Sequence, residues 1–482
     1  MKRIRNYSIS GSKYFILGVI FLVTVIITFI SMKFEQIMPS ATTMADATLP
    51  TVAMDTEAGT QYNVLHGYTS ELDSTLFYGN ITPVNKDRKL AITINTYGED
   101  VESVGYKIRS LEDKSLIENT EVSGYQVTDN KINVTLNIKN LLDTGKEYAL
   151  EVVLKTKKHD AVYYYTRIMY GTDYDLQKKL DFVRDFNACT FDSARLKDIG
   201  GYLETSSVGD NTNYGKVNIN CSLSQIGWGD LEPYIESEIT PEIISINDDV
   251  AIIRLDYRVG AANDYSSDTY NVNEYYRIRQ TNSGFYLLNF EREMNQVFDA
   301  KNDLTSSAKI NLGINSSTYV NCTSDEKGIY TYFVNQGSLW CFSSSSQTFT
   351  RVFSFRGEET DSVREDYDAH NIKIMKIEDN GDATFLVSGY MNRGEHEGQV
   401  GVSLCRYSYS DNDVTERLFI PVAIPYNILT QNVGGVSYVS NDKFYILIDE
   451  TLYSVDLVSK EVMTEITGLK ENSYAVSDAG DA

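Results

Sequence analysis

Between residues 49 and 171 apolar and polar positions alternate with a period of two. The clearest stretch runs from Ile132 to Ile138, where Asn133, Thr135 and Asn137 separate the apolar residues. Similar alternation begins at Leu90, Val104, Tyr148 and Val162. Strands with one polar face are typical of an antiparallel β-sandwich. We therefore predict an antiparallel β-sandwich over residues 49–171.

The segment between two of these strands resembles a tyrosine corner of fibronectin type III domains. Leu142 is followed by Gly145 three residues later and by Tyr148 six residues later. In that family the tyrosine hydroxyl bonds to backbone upstream and fixes the crossing between the two sheets. The resemblance implies that the sandwich over residues 49–171 is of the immunoglobulin or fibronectin type III kind, and that these three residues have a structural role.

The period changes after the predicted sandwich. From Tyr174 to Thr190 the apolar residues Leu176, Leu180 and Val183 recur at the spacing of a helix. We predict an amphipathic helix in a connector over residues 172–212. A helix that binds a partner is the alternative to a packed connector.

A repeated strand pattern follows over residues 213–482. Each unit has an aromatic or Leu anchor and a second apolar strand 10 residues on; the four units are Tyr276 to Tyr286, Leu339 to Phe349, Leu404 to Val414 and Leu452 to Val462. The fullest unit predicts four strands, at Asn371–Ile377, Thr384–Met391, Val400–Tyr407 and Val414–Pro421. Such units favour a β-propeller-like domain, with plain meanders or stacked sandwiches as the alternative. Asn472 to Ala482 predicts one more strand, which either closes the ring or leaves the domain incomplete at its C-terminus.

One long apolar run lies near the N-terminus. Tyr14 to Met32 carries no charge and is long enough to span a bilayer as a helix. The four basic residues before it predict a cytoplasmic tail over residues 1–13 and an extracellular remainder. A cleaved signal peptide is the alternative, but the run exceeds a usual signal core. We predict a single-pass signal anchor in the cell membrane, followed by a tether over residues 33–48 that lacks periodicity.

Charge and cysteine content narrow the partners. The chain has 43 Lys and Arg residues and 67 Asp and Glu residues. Because four of the basic residues lie in the predicted cytoplasmic tail, the exported part has a net charge of −28. Such acidity argues against nucleic acid as a partner, because phosphate binding needs clustered basic residues. The five cysteines are scattered without a C-x-x-C motif, which favours free thiols, although a bridge between Cys189 and Cys221 is conceivable.

Two loops of the fullest unit combine histidines with charged side chains. They carry Asp366, Asp368, His370, Arg393, Glu395, His396 and Glu397. In a propeller both loops would open on one face, so these residues are predicted to form a ligand-binding surface. Histidine and carboxylate side chains are also ligands of divalent cations, so a cation site is the alternative to this surface. We predict no other cofactor. The sequence shows no catalytic motif, so we predict no catalytic residues and no enzyme.

Three segments resemble recurring sequences of a family of proteins without an assigned activity. They are Glu274–Arg277, Asn289–Arg292 and Gly389–Gly394 with His396–Gly398. The family consists of single-pass, membrane-anchored envelope proteins of clostridial Gram-positive bacteria. The resemblance implies location and architecture and transfers no catalytic residues.

The sequence thus predicts a non-enzymatic binding or scaffold protein of the bacterial cell envelope. Its partners would be the membrane, through Tyr14–Met32, and an extracellular protein or cell-wall ligand. Two alternatives remain: a regulatory subunit of a membrane sensor kinase, and a propeller-fold hydrolase or lyase.

Overall fold

The computed structural model describes residues 18–25, 37–171, 173–262, 267–300, 305–306, 309–312, 321–357, 363–433, 436–440, 442–448, 450–470 and 473–474. These residues are mainly β and form 31 strands in seven sheets. Among them, no helix is both long enough and apolar enough to cross a membrane. Of the predicted anchor, only residues 18–25 are described; they are helical and exposed.

Two five-stranded sheets form a sandwich that starts at Thr51. After a short strand β1 (Ile37–Met38), the strands are β2 (Thr51–Asp55), β3 (Gln61–His66), β4 (Ile81–Val84), β5 (Lys89–Asn95), β6 (Val101–Ser110), β7 (Leu116–Val122), β8 (Gln126–Thr128), β9 (Lys131–Asn137), β10 (Glu147–Thr156) and β11 (Val162–Tyr170). One sheet has the order β3-β2-β5-β9-β8 and the other β4-β11-β10-β6-β7. In β9 the apolar positions Ile132, Val134 and Leu136 are buried and the polar positions between them are exposed, as the alternation predicts.

The segment before β10 folds as a corner between the sheets. The Tyr148 hydroxyl accepts a hydrogen bond from the backbone N–H of Asp143 at 2.9 Å. Leu142 is buried, and Gly145 has a φ of 77°, which is left-handed backbone that favours glycine. This is the contact that defines a tyrosine corner.

A long sheet with a packed helix follows the sandwich. Its elements are a helix α1 (Leu176–Thr190), a 3-10 turn (Leu196–Tyr202), β12 (Lys216–Asn218), a short helix α2 (Leu223–Ile226), β13 (Tyr234–Ile235), β14 (Thr240–Ile246), β15 (Val250–Ala262), β16 (Ser267–Thr281) and β17 (Gly284–Gln296); the two-stranded sheet of β18 (Thr305–Ser306) and β19 (Lys309–Ile310) comes next. Helix α1 buries Leu180, Val183 and Phe186, and the Phe186 ring lies 5.6 Å from that of Tyr276. The sandwich and this sheet share one continuous apolar core.

The two strands and the turn predicted at Tyr276–Tyr286 are present, but they belong to a longer sheet and not to a four-stranded unit. These residues lie in β16 and β17, which have 15 and 13 residues and belong to the six-stranded sheet β12-β17-β16-β15-β13, with β14 also paired to β15. A spacing of 10 between apolar residues arises in any hairpin, so it does not distinguish a blade from a longer sheet.

Three sheets make up the rest of the described chain: the second and third are four-stranded and antiparallel, and the first consists of four antiparallel strands with β1 added in parallel at its edge. Their strands are β20 (Cys322–Ser324), β21 (Tyr330–Asn335), β22 (Ser338–Ser343) and β23 (Thr348–Ser354); β24 (His370–Ile377), β25 (Ala383–Tyr390), β26 (Val400–Ser408) and β27 (Asp413–Pro421); and, after a helix α3 (Tyr426–Val433), β28 (Ser437–Ser440), β29 (Lys443–Ile448), β30 (Thr451–Asp456) and β31 (Val462–Ile466). Strands β24 to β27 match the predicted unit to within one residue at each end. The first two sheets enclose one apolar cluster, and the second and third sheets enclose another together with residues of the sandwich.

These sheets do not form the predicted propeller. Propellers typically have about 4–8 blades of four strands, whereas the described residues after the long sheet contain one five-stranded sheet, which includes β1, and two four-stranded sheets. The interior of the second cluster is completed by Tyr68, Leu72 and Tyr165 of the sandwich, so packing against the sandwich takes the place of a further blade. The strand predicted at Asn472–Ala482 lies almost entirely outside the described residues.

The predicted tether is also different in the structure. From residue 37 to residue 48 the chain lies on the C-terminal sheets: β1 pairs in parallel with β23, and the backbone N–H of Ala41 donates to the Arg351 carbonyl at 3.0 Å. Ala41 and Ala47 are buried. Small residues without periodicity fit a narrow path over a sheet, which a search for regular patterns does not detect.

All five cysteines are free thiols, and the conceivable Cys189–Cys221 bridge is absent. Cys189, Cys221, Cys341 and Cys405 are buried, whereas Cys322 is exposed. The buried ones behave as small apolar residues of the core.

A buried ion pair joins two of the segments that carry the family resemblance. Glu274 of β16 is directly opposite Arg292 of β17, and the carboxylate and guanidinium lie 3.8 Å apart. Arg292 also donates to the carbonyls of Gln225 and Ile226, and its guanidinium stacks 3.4 Å from the centre of the Trp228 ring. These side chains hold helix α2 on the sheet, which is a structural role.

The tyrosine corner can be tested by removing one hydroxyl. We expect Tyr148→Phe to lower the free energy of unfolding by about 1 kcal/mol, because the substitution removes only the hydrogen bond to Asp143. Tyr163→Phe is the matched control, since its hydroxyl makes no hydrogen bond within the described part of the sandwich. Urea denaturation of the full chain measures both; equal destabilisation by the two variants would contradict a corner.

Candidate functional site

The two predicted loops do meet in the structure. The side-chain amide of Asn392, which is 1% exposed, donates to the backbone carbonyls of Arg364, Glu365 and Tyr367 at 2.7 to 3.2 Å. One amide thus fixes the loop before β24 against the loop between β25 and β26. The sequence analysis placed these loops together on the assumption of a propeller face; in the structure they meet because both lie at one end of the sheet β24-β25-β26-β27.

His370 lies inside this junction. Its Nε2 is 3.2 Å from the Gly337 carbonyl, and its ring packs edge-on against Phe355 with 4.8 Å between centres. Burial disfavours the charged imidazolium and lowers the pKa of His370. The surrounding cavity of about 10 Å³ admits about one water molecule, so no ligand of substrate size fits beside this histidine.

The acidic residues before His370 are paired with arginines. Asp366 lies between Arg258 and Arg356, with oxygen-to-nitrogen distances of 3.1 and 3.0 Å. Arg258 comes from the long sheet and Arg356 follows β23, so Asp366 joins three parts of the fold. Asp368 lines the same small cavity as His370.

Arg393 has the corresponding role in the second loop. Its guanidinium lies 3.4 Å from Asp46 and 3.6 Å from Glu365. The side chain is 8% exposed, so a charged ligand has little access to it. Arg393 therefore attaches the N-terminal segment to the loop before β24.

The remaining three predicted residues point in different directions. Glu395 is exposed. His396 stacks on Phe419 with 3.7 Å between ring centres, and its Nε2 is 2.9 Å from a Glu416 oxygen. The described residues contain no group of three or more His, Cys, Asp or Glu side chains that could hold a metal ion.

Glu397 binds the backbone where the chain enters the sandwich. One carboxylate oxygen accepts from the N–H groups of Thr48 and Leu49 at 2.6 and 2.9 Å, and the other accepts from the Thr48 hydroxyl at 2.8 Å. In addition, Thr69 N–H donates to the Gly398 carbonyl at 2.9 Å, and the Tyr390 hydroxyl donates to the Gly67 carbonyl at 2.7 Å. The predicted ligand surface is thus largely an internal junction between domains.

A larger concavity lies elsewhere, on the outer face of the sandwich. A groove of about 620 Å³ runs over β2, β5 and β9 and is bordered by the loop from Val122 to Gln126. Its volume is within the range of ligand sites, which is about 300–1,000 Å³. Most of the lining is polar; it includes Asp55, Glu57, Gln61, Thr93, Gln126, Lys131, Asn133, Thr135 and Asn137.

Sequence reasoning missed this groove, although its signal is in the alternation. The outward positions of β9 are Lys131, Asn133, Thr135 and Asn137, and all four are exposed. A polar outer face is the ordinary feature of a sandwich strand. The polar face of β9 differs from an ordinary one because the loop after β7 forms a wall beside it. The sequence pattern does not reveal that this loop lies next to β9.

Three side chains form a hydrogen-bonded row across the groove floor. The single hydroxyl of Thr93 lies 2.6 Å from the Asp55 carboxylate and 3.0 Å from the Asn133 side-chain oxygen. A hydroxyl has one proton, so at most one of these two acceptors is satisfied by Thr93 at a time and the other can accept from a ligand. Partial burial raises the pKa of Asp55 above its usual range.

Comparisons with known proteins found weak structural likenesses and no sequence match. No protein-family model matches the chain, and no curated protein matches it. One solved structure, a DUF4784 family protein from Bacteroides caccae ATCC 43185, has 10% identity and a TM-score of 0.17, over 80% of this chain and 94% of the other. Another, the extracellular domain of the proposed one-component system BT4673 from B. thetaiotaomicron, has 8% identity and a TM-score of 0.15, over 88% and 78%.

At such TM-scores these likenesses carry no argument about the fold or function of this chain. The clostridial affiliation implied by the sequence resemblance stays a prediction.

The role of Glu397 can be separated from that of its neighbour. We expect Glu397→Ala to lower the free energy of unfolding by about 2 kcal/mol. Hydrogen bonds to a charged group contribute roughly 1.5–3 kcal/mol each, and the carboxylate of Glu397 is partly exposed, which reduces their contribution. Limited proteolysis should then cleave between residues 37 and 50 faster than in the wild type. Glu395→Ala, at an exposed position two residues away, should change neither quantity; identical behaviour of the two variants would contradict the junction.

Proposed function

We propose that this chain is a non-enzymatic binding protein of the cell envelope, held at the outer face of the cell membrane by Tyr14–Met32. The observation that carries the proposal is the polar groove on the sandwich. The groove is a concavity of ligand size, and its polar floor lies open to solvent. The C-terminal sheets then act as a scaffold that holds the sandwich in place.

Two further observations support an extracellular binding role. The part of the chain after residue 13 has a net charge of −28, which favours solubility and disfavours contact with anionic lipid. Two of the residues predicted from sequence to carry chemistry are engaged in internal contacts: His370 with Gly337 of a neighbouring sheet, and Glu397 with Thr48 at the entry to the sandwich. A propeller-fold hydrolase or lyase built on His370 and His396 is therefore the least supported alternative.

One contact favours the alternative of a regulatory subunit. The segment from residue 37 to residue 49 is bound to β23 and to Glu397 on the way from the predicted membrane helix to the sandwich. A docked segment can transmit a displacement of the extracellular part to a membrane helix, whereas a flexible tether cannot. Ligand binding in the groove could reach a membrane partner by this path.

The binding role is tested by filling the groove. Full-length protein in a mild zwitterionic detergent should co-sediment with cell walls isolated from the organism that produces it. Thr135→Trp places a large ring on the groove floor at an exposed strand position, so we expect the apparent affinity to fall at least about tenfold. Asn119→Trp, at an exposed position on the opposite sheet, is the matched control. Equal binding by both variants would rule out the groove.

The anchor is tested by the state of the N-terminus. If Tyr14–Met32 remains as a membrane helix, the protein should stay in the membrane fraction after alkaline extraction and should begin with its original N-terminus. Protease added to intact cells should degrade the bulk of the chain. A mature protein that starts after residue 32 and appears in the medium would show a cleaved signal peptide instead.

A further inference from the structure

The shape of the groove restricts its ligand to an extended molecule. Lys131, Asn133, Thr135 and Asn137 follow one another on the same face of β9. At about 3.3 Å per residue, the distance from the first to the last of these positions is roughly 20 Å. A row of that length on an open face matches several units of a chain better than one compact metabolite.

The chemistry of the lining points to a ligand rich in hydroxyl or amide groups. Asn133, Asn137 and Gln126 each offer an amide with both donors and an acceptor, and Thr135 offers a hydroxyl. Gln126 of β8 is directly opposite Asn133 of β9, so two of these amides stand side by side. Sugar hydroxyls and acetamido groups both donate and accept, so they can satisfy such a lining.

Charge argues against an anionic ligand. The groove contains two carboxylates, Asp55 and Glu57, and one ammonium, Lys131. The exported part of the chain is strongly acidic as a whole. Phosphate-rich or sulfated polymers would be repelled, whereas a neutral or amine-bearing chain would not.

The floor of the groove is unsuited to an extended peptide. Peptides are commonly bound along a free strand edge, in an apolar helix groove or on aromatic-lined grooves. The floor is formed by β2, β5 and β9, whose backbones are already paired with each other. Its apolar side chains include Ala91 and a half-buried Tyr125, and one tyrosine ring can cover the apolar face of a sugar.

We propose that the groove binds a neutral or amine-bearing glycan chain, laid along β9 from Lys131 to Asn137. Thr93 would adjust its single proton between Asp55 and Asn133 as ligand hydroxyls engage either acceptor. This inference rests on the proposed binding function and specifies the chemical class of the ligand.

The test uses full-length protein in a zwitterionic detergent without a sugar head group, and isothermal titration calorimetry with four probes. These are tetra-N-acetylchitotetraose, its deacetylated form, a sulfated heparin tetrasaccharide and a ten-residue peptide of Gly, Ser and Thr. We expect heat of binding with one or both of the first two and none with the others. The double variant Asn133→Ala and Asn137→Ala should weaken binding at least about tenfold, because two hydrogen-bonding amides are lost. Asn119→Ala on the opposite sheet should bind as the wild type does.

The outcomes separate this inference from the proposed function. If the wild-type protein binds walls and Thr135→Trp abolishes that binding, but neither form of chitotetraose binds, the ligand is not such a glycan and this inference is overturned alone. Binding of the sulfated probe or of the peptide would likewise overturn it. If neither walls nor probes bind, both proposals fail.

Discussion

The arrangement of the domains depends on one carboxylate that holds backbone 349 residues away in sequence. Glu397 accepts from the N–H groups of Thr48 and Leu49, at the point where the N-terminal segment leaves the C-terminal sheets and enters the sandwich. Since these donors have no strand partner, the loss of the carboxylate would leave them to solvent and release the segment. Asp366 and Arg393, which lie in the same two loops, form ion pairs, so these charged residues also join parts of the fold, whereas Glu395 is exposed.

Much of the architecture could be predicted because its signals are local. Strict alternation located the sandwich strands, and the fullest repeat unit gave β24 to β27 nearly to the residue. The remaining errors come from long-range contacts. The hairpin of β16 and β17 has the same apolar spacing as a blade, and only its length and the helix packed on it show a different sheet. The docked segment around Ala41 has no periodicity at all, so its path depends on partners more than 300 residues away.

In the candidate site, too, local features could be predicted from the sequence, whereas long-range contacts could not. The loops of His370 and Glu397 were correctly placed together, but a sequence does not show whether a charged side chain faces solvent or another loop. Asp366 faces two arginines and Glu397 faces backbone N–H groups, so neither is available to a ligand in the way the prediction required. By contrast, Asn133 and Asn137 have the sequence appearance of an ordinary solvent-facing strand. Their setting becomes distinctive only because the loop after β7 rises beside them.

We therefore propose that the outer face of β9 in the sandwich receives the ligand, while the loop junction supports the sandwich. Amide hydrogen–deuterium exchange of the full chain, with and without isolated cell walls, tests this claim most directly. We predict slower exchange over residues 122–137 and 55–61 when walls are present, with the junction around residues 393–398 unchanged. Protection confined to the junction, or to the exposed strand β31, would contradict the account and move the binding site to the C-terminal sheets.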